Sequence, residues 1–211
     1  MKKRVAFAAC SVLIVVAVGS TVFLSNAANG KYEDAQIQQY AEITSEFSDH
    51  GYISYEANGV LHIDRAEIDK IADTYAVFGS GLDWNDAKDV VLNREALYHA
   101  ALNAGITISD ETLDAELDRQ AALVRGSINY DEDIVPFLDF AGETIEENLL
   151  KNKELIREGM AIGILHDEIR TIIPESLTQE EYDAAFEAGK QQAIDEYLNS
   201  VNVVIEYINV N

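Results

Sequence analysis

The chain has 211 residues, 48% of them hydrophobic, and its 38 Asp and Glu face only 15 Lys and Arg, a formal charge of −23. That length and apolar content suffice for one medium domain with its own core, whereas so acidic a surface repels phosphate backbones and argues against nucleic acid as a partner. Cys10 is the only cysteine and lies in an apolar N-terminal run, so the rest of the chain has no means of forming disulfides, thiolate nucleophiles or cysteine-metal sites.

Met1-Lys2-Lys3-Arg4 is basic, and Val5 to Leu24 is uncharged and apolar. A run of about 20 residues is long enough to span a bilayer core of about 30 Å. Bases ahead of it place the start of the chain in the cytoplasm and the acidic remainder outside. Residues 1–27 therefore read as a signal peptide or a membrane anchor. Both fates stay open: Ser25-Asn26-Ala27 offers small residues for cleavage after Ala27, and the run can equally remain in the membrane. A lipidation site at Phe7-Ala8-Ala9-Cys10 is disfavoured, because no hydrophobic segment precedes it. Residues 28–50 are polar without a sustained apolar stripe and read as a stalk or a loosely held helix.

The domain proper, residues 51–211, opens with a β-hairpin over 52–63, in which Asn58-Gly59 supplies the turn. Asp64 with Glu67 spells a capping box. The helix it opens carries Ile68, Ile71, Ala72, Tyr75 and Phe78 on one face, and Gly79-Ser80-Gly81 stops it. Asp83 caps a second helix running through Trp84, Val91 and Leu97 to Gly105, which can take the left-handed conformation after a helix. Ser109 caps a third, with Leu113, Leu117, Ala121 and Val124 on one face. A short helix is expected around Ile134 to Phe140, with Pro136 in its first turn. Thr144 and Glu147 then box a single long helix reaching Ile172 and halted by Pro174, and Thr178 and Glu181 box the last helix. Val201 to Ile208 is β-branched and needs a partner sheet, for which the hairpin at 52–63 is the candidate. The fold class expected is mainly α with a small β element (α+β).

Catalytic constellations do not emerge from the pattern. His50, His62, His99 and His166 lack the spacing of a metal-binding helix face, and there is no phosphate loop or nucleophile turn. Asp131-Glu132-Asp133 lacks the remaining ligands of a calcium loop, and Glu111, Asp114 and Asp118 on one helical face are ordinary for this composition. The reading is that the protein is no enzyme and needs no metal or cofactor.

Three stretches carry a family resemblance. Tyr55 to Ile71 (YEANGVLHIDRAEIDKI), Glu95 to Glu116 (EALYHAALNAGITISDETLDAE) and Tyr130 to Ile156 (YDEDIVPFLDFAGETIEENLLKNKELI) resemble, in the same order, the N-terminal domain of SurA/PrsA-type extracytoplasmic chaperones. That resemblance covers roughly residues 52 to 172 and implies a helical peptide-holding domain, completed in that family by a C-terminal helix and strand. It also marks a departure. Members commonly carry parvulin prolyl-isomerase domains between the long helix and the C-terminal segment, where this chain has only Ile173-Pro174-Glu175-Ser176-Leu177. Isomerase activity is therefore not implied.

The function expected is that of an extracytoplasmic, membrane-anchored or secreted chaperone at the bacterial cell envelope. It would hold unfolded or exported polypeptide segments in an apolar groove without cofactor or isomerase activity, and would touch the membrane through its N-terminal segment if uncleaved. Tyr75, Phe78, Trp84, Tyr98, Phe137 and Phe140 are the candidate peptide-binding anchors. The alternative is a dedicated interaction module of a cell-envelope assembly, using the same fold to bind one fixed partner.

Overall fold

The computed structural model describes residues 34–48, 54–127 and 130–208. The apolar run at 5–24 with Cys10, the cleavage candidate Ala27, the start of the expected hairpin at 52–53 and His50 lie outside them. Among the described residues no helix is long and apolar enough to cross a membrane. The chain is mainly helical with a small three-stranded sheet, as the sequence pattern implies.

Asn58 and Gly59 both have positive φ, 54° and 74°, the backbone of the tight turn whose twist matches antiparallel strands. They join β1 (Tyr55–Ala57) to β2 (Val60–Asp64). Helices α2 (Arg65–Val77), α3 (Trp84–Asn103) and α4 (Asp110–Arg125) follow, numbered after α1 (Asp34–Ser48) at the start of the described chain. The corner between α3 and α4 is as expected: Gly105 has φ 82°, and the Ser109 hydroxyl accepts from the Thr112 N–H at 3.2 Å. Arg157 pins that corner to the long helix, donating to the Ile108 carbonyl at 2.6 Å and to Asp110 at 2.7 Å.

Three expectations need correction, and one turn was not foreseen. The segment expected as a stalk or a loosely held helix is a helix over α1, and a packed one: Ile37, Tyr40 and Ala41 are buried, with the Tyr40 ring 5.4 Å from both Phe78 and Phe137. Its apolar positions are too few for a stripe but adjoin one another on a helix, and burying each of the two larger ones contributes roughly 1.5–3 kcal/mol. Glu67 does not complete a capping box. Asp64 caps α2 alone, accepting from Ala66 N–H at 3.1 Å, while Glu67 turns inward to Arg94. The single long helix after Thr144 is two, α6 (Ile145–Lys151) and α7 (Lys153–Ile172). At the break, the Asn152 side chain donates to the Asn148 carbonyl at 2.7 Å, a side-chain bond that competes with the regular helical pattern. The short helix α5 (Val135–Ala141) is preceded by a π-helical turn over Tyr130–Ile134 that the pattern did not foretell.

Helix α8 (Gln179–Leu198) leads to β3 (Asn202–Glu206), which pairs with β2, in parallel, giving the order β1-β2-β3. The first and last strands of the described residues thus join one sheet. Two apolar cores result. One gathers Leu61 and Ile63 of β2 with Ile68, Tyr75, Val91, Ile162, Leu165, Ile194 and Tyr197 from α2, α3, α7 and α8. The other gathers α1, α4, α5, α6 and Ile156 at the start of α7.

Candidate functional site

Alternation along the three strands sorts their side chains into an inner and an outer face. Leu61 and Ile63 point inward onto the helices, and the register sets Val203 and Ile205 beside them. Glu56, opposite Leu61, also faces inward, where it accepts a hydrogen bond from the buried Tyr197 hydroxyl at 2.9 Å and lies 3.6 Å from His99. Burial and this carboxylate together push the Tyr197 phenol well above its ordinary range. Outward point Tyr55, His62 and Val204 in one row across the sheet. The Tyr55 ring stacks on His62 at 4.7 Å, and His62 Nδ1 lies 2.8 Å from the Glu206 carboxylate.

Strand β3 forms one edge of this sheet, and among the described residues no strand lies beyond it. Asn202 N–H donates to the Gly59 carbonyl at 2.9 Å, and Ile208 N–H points to Asp64 at 3.4 Å. Even-numbered residues therefore turn their main chain toward β2, and Val203 and Ile205 turn theirs outward. Val203, Val204 and Tyr207 are all exposed there. At the end of the strand the Tyr207 hydroxyl and the Trp84 Nε1–H both donate to Asp69, each at 2.7 Å. The Arg65 guanidinium lies 5.6 Å from the Trp84 ring and 5.4 Å from the Tyr207 ring. This knot fixes the end of β3 against α2 and α3. No sequence signal gave it, because its members are joined only by the fold.

The six aromatic candidates are spread over both cores rather than gathered in one cleft. Tyr75 is buried in the first core, with Trp84 and Tyr98 half-buried at its margin. Phe137 is buried in the second core and Phe78 packs on it. Phe140, on α5, is exposed at 49%.

A buried ionic cluster is the feature sequence reasoning missed most completely. Arg94 of α3 pairs with Glu67 of α2 through two hydrogen bonds, with Glu95 at 2.5 Å and with Glu158 of α7 at 3.2 Å. One guanidinium thus serves three carboxylates. Burial raises the Glu67 carboxyl against the pull of Arg94. Burial pushes Glu158 up to about 8, with Arg94 pulling it down and the charges of Glu95 and Glu67 adding to the rise. The arrangement ties α2, α3 and α7 together. His166 of α7, half-buried with its ring edge-on to Phe186 of α8, is held down at about 4 by burial and by the nearby Lys190 and Arg170. No group of three or more His, Cys, Asp or Glu among the described residues is placed to hold a metal ion. In comparisons with protein-family models, curated proteins and solved structures, the chain matches none.

Proposed function

We propose that this protein is an extracytoplasmic holding protein: a helical body, outside the membrane that its N-terminal segment enters or crosses, that binds unfolded or exported polypeptide segments by contact alone. The observation that carries the reading is the β-branched edge of β3, unpaired among the described residues, a surface suited to extended chain of many sequences because main-chain pairing is indifferent to side-chain identity. The three stretches resembling SurA/PrsA-type chaperones support it. So does the direct passage from α7 to α8 through residues 173–177, a span too short for an isomerase domain, and the function proposed is accordingly holding without catalysis of X-Pro isomerisation.

The test uses the purified 211-residue chain. It should delay aggregation of several chemically unrelated unfolded clients while leaving X-Pro isomerisation at its uncatalysed time constant of roughly tens to hundreds of seconds. Acceleration of isomerisation would refute the reading of 173–177. Failure to delay any client would replace holding with the alternative, a module for one fixed envelope partner. Protease added to intact spheroplasts should degrade the region after Ala27, and full protection in sealed cells would refute the extracytoplasmic placement.

A further inference from the structure

We propose that the outward edge of β3 takes an extended, apolar polypeptide segment flanked by lysine or arginine, paired main chain to main chain as a fourth strand of the sheet. This rests on the holding function above and names its binding surface and the chemistry of its clients.

Three observations converge on it. First, the edge is unprotected among the described residues. Sheets ordinarily blunt an edge with lysine, proline, a bulge or a covering helix, and Asn202-Val203-Val204-Ile205-Glu206 contains neither lysine nor proline. Second, the edge is held in place. Its inward neighbours pack on the first core through Val201 and Ile205, and its end is fixed by the Tyr207–Asp69–Trp84 knot. An incoming strand thus meets a preformed template and need not order it. Third, charge selects the occupant. The three strands contain no Lys or Arg; Glu206 is the half-exposed carboxylate of β3 itself, whereas Glu56 turns inward to Tyr197 and Asp64 is buried as the cap of α2, and Arg65 at the end of the sheet is engaged with Asp69 and the two rings. A second copy of this chain would approach with the same net charge of −23, spread over its whole length, and like charges that come within a Debye length of about 8 Å at physiological salt repel. A basic segment is attracted by the same field.

The direction of the main-chain groups supplies a selective probe. Proline at position 203 removes an outward donor and leaves the bonds of Asn202, Val204 and Glu206 to β2 in place, which is the position an edge strand tolerates. The ligand is a fluorescent peptide of about ten residues alternating valine and threonine between lysine pairs. By anisotropy, wild type should bind it, and Val203→Pro should weaken binding roughly tenfold, the size of one lost main-chain bond. The same peptide between glutamate pairs should bind more weakly than the lysine form, and the difference should shrink as salt rises. N-methylation of alternate amides in the peptide blocks strand pairing with the protein left wild type, so the test survives a variant that fails to fold. Undiminished binding of the N-methylated peptide, or equal binding of the two charge forms, overturns the proposal. So does absence of binding to wild type, which is what occupation of the edge by this chain itself would give, and so does a dimer, seen in sedimentation, that Val203→Pro dissolves. A delay of client aggregation retained in full by Val203→Pro would refute this edge alone and leave the holding function standing.

Discussion

Arg94 is the residue on which the most charge converges, and its surroundings set the pH response of the fold. The Glu158 carboxyl holds its proton to about 8 when folded, against 4.5 as its ordinary value. The folded state therefore binds the proton more tightly, so the contribution to stability is complete below pH 4.5 and is lost as pH rises through about 8. Glu158→Gln keeps the shape without the ionisation. Thermal melting from about pH 6 to pH 9 should show wild type losing stability and the variant losing less, and superimposable profiles would refute the assignment. His166 acts with the opposite sign. Its folded value near 4 lies below the ordinary 6.5, so the unfolded state takes the proton first and stability falls as pH drops between those values. None of this was legible in the sequence. Asp64-x-x-Glu67 spelled a capping box, and only the fold brings Arg94, 27 positions away, to claim the glutamate.

Elements were legible where the deciding interaction is local. Asp64, Asp83, Ser109, Thr144 and Thr178 all cap the helices assigned to them, because each bonds a main-chain N–H within three residues. The break at Asn152 was missed, since one asparagine among helix formers leaves the apolar pattern intact. So was the docking of α1, whose burial depends on Phe78 and Phe137 from distant elements. One contact between elements gives a sharp prediction. A Cβ added at Gly189 of α8 would stand 2.6 Å from Ile169 Cγ2 of α7. Glycine to alanine within a helix ordinarily stabilises by about 0.5–1 kcal/mol, but overpacking a branched side chain costs about 1–3 kcal/mol. Gly189→Ala should therefore lower the melting temperature, and a rise would mean that α8 stands off α7 in solution.

For the whole molecule, the fold class and the union of the terminal strand with the hairpin were legible. The parallel sense of that union was not, because β-branched composition carries no direction. Each core is completed by a piece at one end of the described chain: β3 for the first, α1 for the second. Deleting residues 34–48 and deleting residues 200–208 should each lower the denaturation midpoint, and an unchanged midpoint after the first deletion would return that segment to a stalk. The partnership of β2 with β3 also fixes when the protein can finish folding. His62 and Glu206 meet across the sheet from 144 positions apart. At roughly 5–20 residues per second of synthesis, β2 waits on the order of ten seconds or more for its neighbour to be made. Closing so distant a pair is slow by its loop entropy. A chain emerging N-terminus first therefore assembles its hairpin and its local helical corners early and remains an open template, with one side of β2 unmatched, until β3 arrives.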